Sequence, residues 1–161
     1  MSYPLSWGRD AERYADLMVI REPKRSDLQS VVTLAAEVIG AERAASFVRA
    51  HVERHHVLVA ETDDQVAGML AYRTDWFQCT MVSLVCVRED FRRRGVARAL
   101  FTAVERMSPS PRLFSSTEET NTLSIRMHTA LGFAPSGHID NLPQGYRELL
   151  FYKRLAPFAA G

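Results

Sequence analysis

Hydrophobic residues along the chain change repeatedly between a helical and a strand period. Four segments in which apolar side chains return every three or four positions predict amphipathic helices, and shorter alternating or continuous apolar runs predict seven strands. The predicted helices cover about 28–39, 44–55, 96–107 and 121–131, and the predicted strands are 17–21, 56–61, 65–73, 78–87, 112–117, 133–139 and 146–154. Ser26 or Asp27 is the predicted cap of the first helix. The order β-α-α-β-β-β-α-β-α-β-β is typical of a mixed α/β domain with helices on both faces of a sheet.

Length, composition and charge narrow the classes of function. The chain has 161 residues, of which 47% are apolar and 24% charged, and these values are typical of one globular domain. A net charge of +1 argues against a nucleic-acid-binding protein. The longest uncharged apolar stretch, 76–87, is too short to span a bilayer, and residues 1–13 lack the apolar centre of a signal peptide. We therefore expect neither nucleic acid nor a membrane as a partner.

Two cysteines, Cys79 and Cys86, lie seven positions apart in one predicted strand. An odd spacing on a strand places two side chains on opposite faces, so these residues are not expected to form a disulfide with each other. Free thiols are typical of the reducing cytoplasm, and the sequence therefore predicts a cytoplasmic protein.

The segment from 84 to 98 contains the most informative chemistry. The continuous apolar run Leu84–Val87 predicts a strand that is covered on both faces. Three arginines, Gly95 and the small residue Ala97 follow at the start of a predicted helix. A helix N-terminus offers unpaired N–H groups and a positive dipole end, glycine lets the backbone approach a ligand, and arginines add donors. This combination predicts a pyrophosphate-binding site, and a solvated run of charges is the alternative interpretation.

Two motifs in the sequence resemble those of one enzyme family. The hexapeptide from Arg92 to Ala97 is similar to motif A, [QR]-x-x-G-x-[GA], of the GCN5-related N-acetyltransferase (GNAT) superfamily. The family's N-x-x-[AS]-x-x-x-Y-x-x-x-G-F pattern also fits, with histidine in place of the tyrosine, at Asn121, Ser124, His128, Gly132 and Phe133. The resemblance covers about 16–155. It implies a single N-acetyltransferase domain over 1–161, with a mostly antiparallel twisted sheet and one splayed pair of parallel strands.

The resemblance also implies a set of site residues. Acetyl-CoA would lie where the motif A strand splays from the next parallel strand, and the N–H of Val85 would polarise the thioester carbonyl. His128 would stand where the family's tyrosine protonates the departing CoA thiolate, although a purely structural role for this histidine is the alternative. The implied cofactor-binding residues are Val85, Cys86, Val87, Arg92, Arg93, Arg94, Gly95, Val96, Ala97, Arg98 and Asn121.

The residue that accepts a proton from the acceptor amine is not evident in the sequence. Many family members place a glutamate six residues before the last valine of the motif A strand, and here that position is Met81. Ser83 shares the predicted face of Met81 and could hold a water molecule. Other carboxylates remain open and are not ranked: Glu37, Asp75, Asp140 and Glu148.

Two further groups of side chains admit more than one interpretation. His51 and His55 lie four positions apart on the predicted buried face of the second helix, but no third ligand is apparent, so no metal site is predicted. Packing, or lining of an acceptor cleft, is the preferred interpretation of this pair. Tyr72, Trp76 and Phe77 could likewise form the wall of a cleft or belong to the core.

Together these features predict an enzyme that transfers the acetyl group of acetyl-CoA to a primary amine without a metal. A small-molecule amine is the preferred acceptor. The alternatives are a protein N-terminus or lysine, and a regulatory module that binds acyl-CoA without turnover. The sequence leaves open whether the protein forms a homodimer.

Overall fold

The computed structural model describes residues 17–156, and the predicted absence of a signal peptide at 1–13 lies outside the described residues. Within this range the elements follow the predicted order. The four α-helices are α1 (Leu28–Ile39), α2 (Ala41–Glu53), α3 (Val96–Met107) and α4 (Thr122–Ala130). The strands are β1 (Val19–Arg21), β2 (Val57–Thr62), β3 (Gln65–Trp76), β4 (Cys79–Val87), β5 (Arg112–Glu118), β6 (Ala134–Ile139) and β7 (Glu148–Arg154). No helix in this part of the chain is long and apolar enough to cross a membrane.

The strands are hydrogen-bonded in the order β1-β2-β3-β4-β5-β7-β6. The pairs β1–β2, β2–β3, β5–β7 and β6–β7 are antiparallel, and β4–β5 is parallel. The parallel ladder consists of Thr80 opposite Leu113 and Met81 opposite Phe114, near the start of both strands. A mixed α/β fold with a mostly antiparallel sheet and one parallel pair confirms the predicted fold class.

The chain divides into two compact units, and strands β3 and β4 run through both. The first unit comprises the residues up to Ala71 together with Leu84–Ala103, and the second comprises Tyr72–Ser83 and the residues from Val104 onward. The prediction of a single domain over 1–161 stays a prediction.

Apolar faces of α1 and α2 form the core of the first unit with β2, β3 and the end of β4. The buried residues of this core are Val31, Leu34, Ala35, Ala44, Val48, Val57, Val59, Val66, Met69, Ala71, Leu84 and Cys86. At the sheet edge, Arg21 donates to Glu61 (2.7 Å) and to Asp27 (2.6 Å), which ties β1 to β2 and to the turn before α1. Asp27 occupies the predicted cap position, but its carboxylate accepts the N–H of Lys24 (2.6 Å) and no helix N–H.

The second helix ends earlier than the sequence predicts. The N–H of His56 donates to the carbonyl of His51 (2.9 Å) and that of His55 to Val52 (3.0 Å), a pairing that closes the C-terminus of a helix. His55 has a φ of 59° and an exposed side chain, so its predicted place on the buried face was wrong. No glycine marks this ending, which is why the sequence pattern did not indicate it.

Two tight turns connect β2, β3 and β4. Asp63 and Asp64 both have positive φ, as do Phe77 and Gln78, so each connection is a two-residue hairpin turn. The aromatic residues predicted near the second turn differ in burial. Tyr72 is buried, whereas Phe77 is 83% exposed at the tip of the hairpin and is not a core residue.

The second unit packs α4 against β5 and β7. The antiparallel pair β5–β7 extends from Arg112 opposite Arg154 to Glu118 opposite Glu148. Strand β6 lies at the edge beside β7, and all six of its residues are exposed. The buried apolar side chains of this unit include Leu113, Leu131, Phe133, Phe151 and Leu155.

Candidate functional site

The predicted pyrophosphate-binding segment connects β4 to α3 in the first unit. Strand β4 ends at Val87, a short 3-10 turn follows at Glu89–Phe91, and α3 begins at Val96. Between them the backbone turns sharply, with φ of 62° at Arg93 and 79° at Gly95. The sequence therefore forms the strand, loop and helix start that the motif predicts.

Phe91 anchors this loop. Its side chain is buried, and the guanidinium carbons of Arg88 and Arg94 lie 5.1 Å and 5.3 Å from the centre of its ring. Cations at this distance from an aromatic ring are attracted by its electron density. Two of the arginines in the charged segment are therefore held by the loop itself, which argues against a simple solvated run of charges.

The start of α3 has the features of an anion-binding helix end. The N–H of Ala99 donates to the carbonyl of Gly95 (3.0 Å) in the first turn of α3. The N–H groups of a helix's first turn point out from its N-terminus, where an anion can bind. A Cβ atom added at Gly95 would meet no heavy atom within 4 Å, which means that open space adjoins this residue. Arg92, Arg93 and Arg98 are exposed around it.

The end of β4 is less covered than the sequence predicts. Leu84 and Cys86 are buried, but Val85 and Val87 are only partly buried, so the prediction of a strand covered on both faces was wrong. The carbonyl of Val87 accepts a hydrogen bond from Nε of Arg92 (3.2 Å). The open side of the strand is the side that a ligand could reach, and the predicted backbone contacts there stay predictions.

A glycine that sequence reasoning missed positions this segment. A Cβ added at Gly68 on β3 would lie 2.8 Å from Cγ1 of Val96, 3.0 Å from the carbonyl oxygen of Cys86 and 3.4 Å from Cγ2 of Val87. Gly68 thus lets the first residue of α3 pack closely against the sheet. The available signal was a glycine inside an apolar strand, which often marks close backbone approach.

Substitution of Gly68 by alanine should destabilise the protein by about 1–3 kcal/mol, the usual cost of overpacking a core. Thermal unfolding measures this loss. Val96→Ala removes the side-chain part of the clash, so the double variant should lose less stability than the sum of the two single variants. Strict additivity would show that Gly68 and Val96 do not constrain each other.

Cys86 contacts a carboxylate from α1. Its thiol donates to Oε2 of Glu37 at 3.8 Å. Burial and, to a smaller extent, the negative charge of Glu37 raise the pKa of the Cys86 thiol to about 11, against an opposing effect of Arg92. A neutral, buried thiol is a poor nucleophile, so Cys86 is not a candidate for covalent catalysis.

Other predicted site residues lie in the second unit. Met81 is partly buried and Ser83 is exposed on β4, so a water molecule could reach the Ser83 hydroxyl. Asn121 is the N-cap of α4, where its Oδ1 accepts the N–H of Ser124 (3.1 Å). This bond gives Asn121 a structural role, and its predicted contact with the cofactor stays a prediction.

His128 lies in the core of the second unit with 1% of its surface exposed. Its Nε2 is 2.7 Å from the hydroxyl oxygen of Ser115, and its Nδ1–H donates to the carbonyl oxygen of Ser124 (2.7 Å). The ring stacks on Phe151 at 4.5 Å and meets Phe133 edge-on at 5.5 Å. Burial lowers the pKa of His128, and the hydrogen bond to Ser124 opposes this shift only in part.

These contacts favour the structural alternative for His128. A carbonyl oxygen only accepts, so Nδ1 carries the proton, and Nε2 of the neutral ring accepts from the Ser115 hydroxyl. A general acid needs a proton to donate, and here the one ring proton is bonded to the helix backbone. The acid role implied by the resemblance stays a prediction, for which the ring would first have to be protonated against its burial.

The loops around β6 and β7 line an open polar cleft of about 600 Å³ in the second unit. Its lining residues are Glu119, Asp140, Asn141, Leu142, Gly145, Tyr146 and Arg147. Arg147 donates to Asp140 (2.9 Å) and lowers the pKa of that carboxyl. The sequence of this loop contained no recognisable motif, because the cleft is formed by the fold and not by a local pattern.

Comparison with known proteins identifies the family. Residues 24–133 match the model of the acetyltransferase (GNAT) family. The crystal structure of a GNAT-family acetyltransferase from Bacillus cereus ATCC 10987 is 31% identical in sequence, and the match covers 86% of this chain and 98% of that one with a TM-score of 0.78.

Two other solved structures share the fold at lower identity. The yncA protein of Salmonella typhimurium, solved with its cofactor acetyl-CoA, is 20% identical over 89% of this chain and 97% of its own, with a TM-score of 0.68. Ribosomal-protein-alanine N-acetyltransferase from Brucella melitensis is 21% identical over 85% and 99%, with a TM-score of 0.69. The two sequence motifs, the order of the elements and the family match agree, and the chain belongs to the GNAT family of acetyltransferases.

Proposed function

We propose that this protein is an acetyl-CoA-dependent N-acetyltransferase that acts on the primary amine of a small molecule. The observation that carries the proposal is the start of α3, where a helix N-terminus and exposed arginines surround open space beside Gly95. A pyrophosphate needs this combination of backbone donors, positive charge and close approach. Membership of the acetyltransferase family supports CoA as the source of that pyrophosphate.

Each part of the segment has a proposed role toward acetyl-CoA, which supplies the acetyl group as a thioester. The N–H groups at the start of α3, from Gly95 to Arg98, hold the pyrophosphate, and the arginines at 92–94 neutralise its charge. The backbone of Cys86 and Val87 binds the pantetheine arm. The N–H of Val85 donates to the thioester oxygen, which stabilises the negative charge that develops there. In the same proposal Ser83 holds a water molecule and Asn121 contacts the cofactor.

A small-molecule amine is the proposed acceptor. The polar cleft of the second unit, with a volume of about 600 Å³, is large enough for a small molecule. Both cysteines of the chain are free thiols, which supports a cytoplasmic location.

Two measurements test the proposal. Acetyl-CoA at about a hundred times its dissociation constant should stabilise the protein by about 2.7 kcal/mol, seen as a rise in Tm. Release of the free thiol should then be followed with amino acids, polyamines, aminoglycosides and short peptides that carry a free N-terminus or lysine. Turnover with peptides alone would favour a protein acceptor. Binding without turnover on any amine would indicate a regulatory module, and absence of binding would refute the proposal.

A further inference from the structure

We infer that Glu37 on α1 is the general base that takes the proton from the acceptor amine. The position on β4 where many family members have a glutamate for this role is Met81 in this chain. The inference rests on the proposed N-acetyl transfer. It names the residue that the resemblance to the family does not supply in this chain.

Glu37 is exposed to solvent and also contacts the motif A strand. The residue is exposed to solvent, yet its Oε2 lies 3.8 Å from Sγ of Cys86, which is buried. Cys86 directly follows Val85, whose N–H is the proposed donor to the thioester oxygen. An amine that arrives from solvent can therefore reach a carboxylate that contacts the residue next to that donor.

The end of α1 does not itself stabilise a carboxylate at position 37. It lies in the last turn of α1, at the negative end of the helix dipole, where a negative charge is unfavourable. That turn contains no basic residue, and no ion pair to Glu37 forms within residues 17–156. Its contact is instead a neutral thiol, which uses one of about four acceptor positions of a carboxylate. The remaining capacity is available to an amine.

Two of the other carboxylates left open by the sequence, Asp75 and Asp140, are less suitable as bases. Asp75 receives two hydrogen bonds from Arg73, at 2.7 Å and 3.0 Å. Asp140 is paired with Arg147, which lowers the pKa of Asp140. A guanidinium partner stabilises the charged carboxylate and weakens it as a base.

The step balances with acetyl-CoA and the amine as the reactants. The amine nitrogen forms a bond to the acetyl carbon, and the bond from that carbon to sulfur breaks. The acceptor arrives as an ammonium ion, and Glu37 takes the proton whose loss makes the nitrogen a nucleophile. The sulfur leaves with the bonding electron pair, and the second proton that the nitrogen loses after the bond forms passes to the sulfur through water. Glu37 then releases its proton to solvent, which restores the carboxylate.

The test compares Glu37→Gln with Glu42→Gln, a matched change of an exposed glutamate in the first turn of α2. Glu37→Gln should lower kcat by about 100-fold or more for an alkyl amine with a pKa near 10, because positioned bases contribute roughly 10²–10⁴. The loss should shrink below about tenfold for amines with a pKa below about 7, which arrive mostly neutral. Affinity for acetyl-CoA, measured by calorimetry, and Tm should not fall.

The outcomes separate this inference from the proposed function. Glu42→Gln should retain wild-type kcat, and Glu37→Asp should recover part of the activity. If the wild type turns over and Glu37→Gln matches Glu42→Gln, Glu37 is not the base although the proposed function stands. A loss that is independent of the amine's pKa would also overturn the inference, because it would indicate a structural effect. A wild-type protein that binds acetyl-CoA but acetylates no amine would overturn both.

Discussion

Replacing Gly95 by glutamate should abolish the binding of acetyl-CoA and leave the protein folded. Gly95 has a φ of 79°, a conformation that costs other residues roughly 1–2 kcal/mol. The new carboxylate would occupy the open space at the start of α3 and repel the pyrophosphate. A negative charge at this end of a helix interacts favourably with the helix dipole, which offsets part of the strain. Wild-type protein should gain roughly 5–10 °C in Tm at saturating acetyl-CoA, and the variant should gain none.

Gly95→Ala separates the two causes of this loss. Its methyl group would meet no atom within 4 Å, so the variant carries the backbone strain without the charge. We expect Gly95→Ala to bind acetyl-CoA more weakly than the wild type and measurably more tightly than Gly95→Glu. Equal binding by wild type and Gly95→Glu in calorimetry would show that the pyrophosphate is not held at the start of α3.

The elements of the fold are predictable because their signals are local. Residues close together in the sequence give both the apolar spacing of α1, from Leu28 to Ile39, and the turn before β3, at Asp63 and Asp64. Motif A is local too, since its glycine and arginines all lie within the loop that precedes α3. The sequence could therefore place the candidate pyrophosphate site before any tertiary contact was known.

The contacts that decide the chemistry of the site are not local. Glu37 and Cys86 meet across 49 positions of sequence, and neither residue has a neighbour along the chain that signals the contact. The close approach of Gly68 to Val96 depends in the same way on how β3 and α3 pack. Periodicity shows that a residue is buried or exposed, but not which side chain of another element it touches. The proton acceptor could therefore not be chosen from the four carboxylates by sequence alone.

Replacing His128 by alanine should destabilise the protein by about 3 kcal/mol. The change removes a fully buried ring stacked on Phe151 and leaves the buried hydroxyl of Ser115 without its partner. Because burial lowers the folded-state pKa of His128, the unfolded chain binds protons more readily. The contribution of His128 to the stability of the wild type should therefore be full above about pH 6.5, the pKa of histidine in the unfolded chain. It should decrease as the pH falls toward the folded-state pKa. Denaturant titrations at several pH values measure both effects.

His55→Asn is the matched control, because His55 is exposed and asparagine tolerates its positive φ. The stability of this variant should still decrease below pH 6.5, whereas that of His128→Ala should show little of this decrease.

The kcat of folded His128→Ala decides between the two roles of the histidine. A neutral structural ring predicts a kcat within about tenfold of the wild type. A loss of roughly 100-fold or more in folded protein, partly recovered by His128→Tyr, would instead identify His128 as the acid that protonates the thiolate, since positioned acids contribute at least that much.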